Sequence, residues 1–248
     1  MNFSTLLLSL VFFCAVMSSC QIAENVVKVL DEQKPLTEQE VIQGLKEALK
    51  IGTDTAVRIV SAPNGFFRDE RIKVYLPPEA AVIMQYKDNP LLQAVGINKL
   101  IDDAILAMNR SAEHAAKSAA PVFAKAIRDM TIQDAFSILR GSDSAATQYL
   151  RRTTYFELKN SFQPQIKSSL DQPLTGNISA NKAWESLTSA YNNVALIAGW
   201  KAVTTQLDEY VTIKALNGLF IKIRDEEKEI RTDPKARVTQ ILRRVFGQ

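Results

Sequence analysis

Apolar side chains recur every three or four residues between Pro90 and Ala119, and this spacing is the strongest constraint on the fold. The stripe consists of Ile97, Ile101, Ala104, Ile105, Met108, Ala112, Ala115 and Ala119. A stripe of this period lies on one face of an α-helix and is normally buried. Glycine and proline, which interrupt helices, number only nine each among 248 residues. The sequence therefore predicts an all-α fold.

Local signals mark where helices begin and end. Thr37 and Glu40 form a capping box, which predicts a helix that ends before the turn sequence SAPNGFF. Thr131 and Asp134 open another helix, and Gly141 closes it.

Two prolines are expected to shape later helices. Pro164 should bend or break its helix, because it lacks an N–H and its ring clashes with the preceding turn. Near the end of the chain, Asp233 caps a final helix and Pro234 occupies its first position. The predicted buried face of that helix consists of Val238, Ile241, Leu242 and Val245.

One stretch has the alternation of a β-strand. In RIKVYLPP, residues 71–78, apolar and polar side chains alternate until the two prolines. A lone hairpin is marginally stable, so it would be a minor addition to a helical protein. The prediction is a single multi-helix domain with at most one short β-hairpin near residues 66–76.

The N-terminal segment predicts a lipid anchor. Leu6–Met17 is an apolar run of 12 residues, shorter than the roughly 20 that a membrane-spanning helix needs. It ends in MSSC, which resembles the bacterial lipobox, in which the cysteine thiol receives lipid. We therefore expect residues 1–19 to be a lipoprotein signal peptide and Cys20 to carry fatty acyl chains such as palmitate. Cys14, the only other cysteine, lies in the removed segment.

Residues 20–36 are expected to tether the helical domain, residues 37–248, to the membrane. Ile22, Val26 and Leu30 recur at i, i+4 and i+8, so the tether is interpreted as a helix lying on the domain or on the membrane. Gln21 after the cysteine, rather than Asp, favours the outer membrane. The absence of an acidic run in the tether favours its periplasmic face.

Composition and motifs argue against several functions. The 30 basic and 27 acidic residues leave a net charge of +3, smaller than nucleic-acid binders usually carry. Phosphate-binding loops, nucleophile elbows and zinc-protease motifs are absent. His114 is the only histidine, so a His-rich metal site cannot form. We therefore predict no catalytic residue, no metal, no cofactor and no nucleic-acid partner.

Two polar regions are candidate binding sites. Glu227 and Arg231 would form a polar groove beside Tyr210 and Lys214, although the segment RDEEKEIR, residues 224–231, is also typical of a solvated helix end. The basic residues Arg237, Arg243 and Arg244 either offset a helix dipole or contact anionic lipid head groups.

Three long blocks carry a family resemblance. They are PNGFFRDERIKVYLPPEA (63–80), MTIQDAFSILRGSDSAATQYLRRTT (130–154) and the segment from LDEYVTIKALNGLF to the C-terminus (207–248). Together they resemble a bacterial envelope family catalogued as domain of unknown function 4197. The resemblance implies a helical domain in secreted or lipid-anchored bacterial proteins, and it assigns no activity, ligand or catalytic residue.

The leading functional prediction is a non-enzymatic, lipid-anchored protein of the bacterial cell envelope. Its partner would be an envelope protein or a small apolar ligand, besides the membrane that the lipid enters. The alternative is a hydrolase of envelope polymers that uses two carboxylates brought together by folding.

Overall fold

A computed structural model describes residues 35–81, 97–173, 179–198 and 202–247. Its α-helices are α1 (Glu38–Ser61), α2 (Ile97–Ala116), α3 (Ala119–Arg128), α4 (Ile132–Leu139), α5 (Ala145–Leu170), α6 (Ala180–Ala198), α7 (Leu207–Thr232) and α8 (Gln240–Phe246). Short 3₁₀ turns occupy Pro78–Ala80 and Pro234–Ala236. Apart from an isolated bridge between Pro173 and Ser179, these residues contain no β-structure, so the all-α prediction is confirmed.

The core lies between four long helices. Helix α7 packs against α5 and α1, and α2 packs against α5, while α3 lies on α1 and α5. The largest fully buried side chains include Leu45, Phe66, Met108, Phe123, Leu150, Phe162, Leu216 and Leu219. None of the described helices is both long and apolar enough to cross a membrane.

The predicted capping box at Thr37 is present, and the helix start predicted at Thr131 forms a second one. The Thr37 hydroxyl accepts a hydrogen bond from the Glu40 backbone N–H at 3.2 Å, and Glu40 accepts one from the Thr37 N–H at 2.9 Å. Thr131 and Asp134 repeat the arrangement at 3.1 and 3.2 Å. Each box satisfies N–H groups that a helix start leaves without intrahelical partners.

The long apolar stripe is divided between two helices. Met108, Ala112, Ala115 and Ala119 are fully buried, as the stripe predicted. Helix α2 nevertheless ends at Ala116, and α3 begins at Ala119 after a turn at Lys117 and Ser118. Pro121 explains the interruption, because its ring would clash with the Lys117 carbonyl four residues earlier in a continuous helix.

Pro164 does not break α5, which runs without interruption from Ala145 to Leu170. A proline inside a helix costs about 3 kcal/mol. Phe162, Ile166 and Leu170 are fully buried beside it. Burying three such side chains contributes about 5 kcal/mol or more, which outweighs that cost.

The C-terminal segment differs from the predicted helix. Asp233 caps a 3₁₀ turn, accepting from the Lys235 N–H at 2.9 Å, and the last helix starts only after Thr239. Leu242 is fully buried, but Val238 precedes the helix and is 61% exposed, so the prediction that it lies on the buried face is wrong. A separate cap at Thr239 resets the helix and leaves Val238 in the connection.

Residues 66–76, where the prediction allowed at most one short hairpin, form no strand. Residues 62–77 follow an irregular path of turns between α1 and the 3₁₀ turn at Pro78–Ala80. Ile72 and Val74 are nevertheless buried and Tyr75 is exposed, so the alternation reports which side chains face the core. The backbone of this segment is held by α2 instead of a second strand.

Candidate functional site

Residues 62–77, called the pinned loop below, are fixed by the buried side chain of Asn109 on α2. The Val74 N–H donates to Asn109 Oδ1 at 2.9 Å, and Asn109 Nδ2 donates to the Val74 carbonyl at 2.8 Å. Nδ2 also donates to the Ile105 carbonyl within α2. Asn109 is fully buried, and all of these hydrogen bonds are therefore shielded from water.

A buried carboxylate fixes the start of the same loop. Glu113 Oε1 accepts from the N–H groups of Phe66 and Phe67 at 3.2 and 3.4 Å. Its other oxygen accepts from Arg110 at 2.6 Å, and Arg110 also donates to the Asn64 side chain at 2.8 Å. Asn64 has a φ of 68°, a left-handed conformation that asparagine tolerates better than most residues.

The loop lies directly on α7 because Gly218 has no side chain. A Cβ atom at this position would lie 2.6 Å from Phe66 Cε1 and 3.1 Å from Ile72 Cβ. Phe66 is fully buried. The missing methyl group therefore permits the contact through which the loop closes the core.

The outer side of the pinned loop carries aromatic and charged groups. The Lys73 ammonium lies 4.7 Å from the centroid of the Phe67 ring and 5.2 Å from that of Tyr75, within cation–π range. The Tyr75 hydroxyl donates to Glu70, which raises the pKa of the tyrosine and lowers the pKa of the carboxyl. Tyr75 remains 47% exposed, and Arg68 is also exposed.

Ion pairs tie this outer surface to α7. Lys222 lies 2.5 Å from Asp69 and 3.8 Å from Asp225, and Arg71 donates to Asp225 at 2.9 Å. Burial works to raise the pKa of Asp69, but the hydrogen bond and charge of Lys222 outweigh it, so this pKa is lowered. The loop therefore presents a fixed set of side chains to solvent.

A second buried carboxylate, Glu227 on α7, joins three helices. It accepts from the N–H groups of Ala146 and Thr147 at 3.0 and 2.9 Å and from the Thr147 hydroxyl at 2.7 Å. Since Ser144 makes no side-chain cap, Glu227 caps α5 in its place. Arg231 binds Glu227 at 3.0 Å and the Ile138 carbonyl at the end of α4 at 3.1 Å.

The cavity beside this ion pair is small and apolar. Its volume is about 30 Å³, and its lining includes Leu45, Leu49, Ile223 and Phe246 together with Glu227. Pockets that hold small molecules usually measure about 300 to 1,000 Å³. The cavity therefore has room for a water molecule or two but not for a metabolite.

A much larger open groove lies where the chain enters the domain. This entry groove measures about 510 Å³ and lies between the start of α1 and α4. Its lining residues are Leu36, Glu38, Val41, Gln133, Phe136, Ser137 and Arg140. The apolar members are only half-buried, and the Arg140 guanidinium lies 5.4 Å from the Phe136 ring centroid. The groove therefore combines apolar side chains with an exposed cation, Arg140, and an exposed anion, Glu38.

A smaller groove of about 270 Å³ lies between α3, α4 and α5. Two of the three acidic residues that line it are in ion pairs: Glu157 lies 3.6 Å from Lys125, and Asp134 lies 3.9 Å from Arg152. Tyr149 donates to the Ala126 carbonyl, and burial raises the pKa of this tyrosine. Two carboxylates and the tyrosine hydroxyl of this groove are thus already bound by other groups of the protein.

The predicted binding surface is divided between two places on α7. Tyr210 donates to the Leu76 carbonyl at 3.4 Å, and Lys214 lies 5.5 Å from the Tyr210 ring centroid. Glu227 and Arg231 lie further along the helix; the 17 positions from Tyr210 to Glu227 correspond to about 25 Å. The four residues do not form one groove.

The three basic residues proposed to contact the membrane have different environments. Arg237 donates to the carbonyls of Ile230 and Arg231 at 3.1 and 2.9 Å, and so closes the end of α7. Arg244 lies 2.6 Å from Glu40 of the capping box on α1. Arg243 is exposed.

His114 and Cys20 are the other residues that the sequence analysis singled out. His114 is exposed on α2, and the described part of the chain contains no cluster of three or more potential metal ligands. Cys20 and the predicted signal peptide lie outside the described residues.

Sequence patterns did not identify Asn109 and Glu113. Both lie on α2 but are not members of its apolar stripe, and polar residues of an amphipathic helix are expected to face solvent. Their partners lie 35 and 47 residues away along the chain, so no local spacing links them. The available sequence signal was the block at residues 63–80, one of the three that resemble the family, which contains those partners.

Comparisons with known proteins identify the family of the chain. No match was found among curated proteins or solved structures. The model of the family described as protein of unknown function DUF4197 matches residues 35–247, which covers every described helix. The chain therefore belongs to the DUF4197 family.

Proposed function

We propose that this protein is a lipid-anchored component of the bacterial cell envelope that binds another envelope protein through the pinned loop. The observation that carries the binding role is the fixation of an irregular surface loop by Asn109 and Glu113. Recognition residues are commonly found on loops held by a rigid scaffold.

The exposed side chains of the loop suit a protein partner. Tyrosine and arginine are enriched among the residues that dominate binding energy, and Tyr75 and Arg68 are both exposed here. Because the loop backbone is already ordered, binding would cost little additional conformational entropy. The small cavity near Glu227 gives less support to a small apolar ligand.

The alternative function, a hydrolase with paired carboxylates, has weaker support. Glu113 and Glu227 are the buried carboxylates among the described residues, at 4% and 8% exposure. Each accepts backbone N–H groups and binds an arginine within its own helix. Because the hydrogen bonds and ion pairs of both carboxylates hold parts of the fold together, we interpret the two residues as structural groups.

The anchor is tested by replacing Cys20 with Ala and fractionating the cells. We expect the C20A protein to lose fatty-acid labelling and signal-peptide removal, and to leave the detergent-soluble membrane fraction. The matched control is C14A, which should be labelled and processed like the unaltered protein. Unchanged labelling and membrane association of C20A would contradict the anchor.

The binding role is tested by photo-crosslinking in intact cells. A photoreactive amino acid at position 75 of the full chain should give one reproducible adduct with an envelope protein, weakened at least threefold by Arg68→Glu. The control position is Phe156, which is 78% exposed on α5, remote in sequence from the loop. Equal adducts at both positions, or no adduct at position 75, would refute the proposal.

A further inference from the structure

We infer that the entry groove binds residues 22–30 of the chain's own tether as an amphipathic helix. This contact would hold the domain close to the point where the chain meets the membrane. The inference does not depend on acylation of Cys20 or on the pinned loop, and it can therefore be tested separately from both.

The groove has the surface that such a helix requires. Leu36, Val41 and Phe136 leave apolar area half-exposed along α4 and the first turn of α1. Within the tether, Ile22, Val26 and Leu30 share one face at helical spacing. Nine helical residues span about 12 Å between their ends, which matches the eight residues of α4 at 1.5 Å each. The apolar stripe is thus about as long as the helix against which it would pack.

The position of the groove favours an intramolecular occupant. Leu36 lines the groove, and it is the second residue of the chain that the structure describes. The six peptide steps from Leu30 to Leu36 reach up to about 20 Å, enough for the chain to fold back along α4. A segment attached this closely has an effective concentration of the order of millimolar, which a separate partner rarely reaches.

The cation at one side of the groove also suits the proposed contact. Arg140 and Glu38 are both exposed at the groove, so a carboxylate is favoured only beside Arg140. Asp31 and Glu32 directly follow Leu30, within reach of the groove edge. A carboxylate there would pair with the Arg140 guanidinium, with a strength that salt reduces.

Disulfide trapping in intact cells tests the inference on the full chain. Val26→Cys on the predicted apolar face is combined with Ser137→Cys, an exposed position in the groove. The matched pair combines Lys28→Cys, two residues along and on the opposite side of such a helix, with the same Ser137→Cys. We expect intramolecular oxidation at least fivefold faster for the first pair. Adding Leu30→Asp should reduce that rate to the level of the second pair.

Several results would overturn the inference. Equal oxidation rates for the two pairs would mean that the tether has no fixed position in the groove. Disulfides that join the introduced thiols of two different molecules would assign the groove to a second copy. The thiol introduced by Ser137→Cys could also stay protected from oxidation in the variant that carries Leu30→Asp. That result would assign the groove to another partner. The single variant Ser137→Cys tests Cys20 separately. A disulfide between Cys20 and the thiol introduced at position 137 would contradict acylation of Cys20. The ratio of the oxidation rates of the two cysteine pairs would still measure docking of the tether.

Discussion

Asn109 pairs with Val74 as a neighbouring strand would, accepting from its N–H at 2.9 Å and donating to its carbonyl at 2.8 Å. One side chain thereby replaces the hydrogen bonds that a hairpin partner would supply. This explains how residues with strand-like alternation remain ordered in an all-α domain.

Replacing Asn109 with Ala should destabilise the protein by about 2 to 4 kcal/mol, because each buried polar group left unpaired costs about 1 to 3 kcal/mol. Urea unfolding followed by circular dichroism measures the change. Asn160, which is exposed on α5, provides the control, and Asn160→Ala should change stability by less than about 0.5 kcal/mol. Similar losses for the two variants would contradict the role of Asn109.

Replacing Glu227 with Gln should cost about 3 kcal/mol, since it breaks a buried ion pair and turns an amide NH₂ towards backbone donors. The free energy of unfolding measures this loss. Hydrogen exchange should also increase at the N–H groups of Ala146 and Thr147, which Glu227 caps. Unchanged exchange there would show that the carboxylate is not the cap of α5.

Replacing the adjacent Glu226 with Gln should have the opposite effect at neutral pH. Burial, and then the charge of Glu229, raise the pKa of Glu226 above its ordinary value of 4.5. As pH rises from 4.5, the unfolded chain ionises first, so the folded state holds more protons and its stability decreases.

The decrease ends once pH exceeds the raised pKa of the folded state. The E226Q variant cannot ionise, so it should lack this loss and be more stable than the unaltered protein at about pH 7. Urea unfolding between about pH 4 and pH 8 measures the difference. Asp143→Asn, at an exposed loop position, is the control. A stability difference that stays constant over this range would refute the prediction.

Two glycines within helices should respond oppositely to alanine. At Gly218 a Cβ would lie 2.6 Å from the buried Phe66 ring, so Gly218→Ala should destabilise by about 1 to 3 kcal/mol. At Gly52 the nearest atom, Glu226 Cβ, lies at 3.5 Å, an ordinary contact. Gly52→Ala should therefore stabilise by about 0.5 to 1 kcal/mol through helix propensity. Thermal unfolding distinguishes them, and a loss at both positions would contradict the local geometry.

The sequence predictions were accurate where the interacting residues lie close together along the chain. Thr37 and Glu40 are three residues apart, and the helix start that they predict is where α1 begins. The alternation near residues 66–76 allowed at most one short hairpin, and none forms there, because alternation reports burial and not the presence of a partner strand. The interruption at Lys117 was not predicted, although Pro121, four residues later, is a local cause of it. The persistence of α5 through Pro164 depends on core contacts instead.

The sequence by itself determined the all-α class, the helix caps and most of the buried faces, because these follow from interactions within about four residues. Only the tertiary structure decided that Glu227 caps a helix 81 residues earlier, and that Asn109 and Glu113 hold the pinned loop. It also decided that the start of α1 and α4 leave a groove beside Leu36, near the first residue that the structure describes. Such contacts join distant segments, and they exist only once packing of the core has brought those segments together.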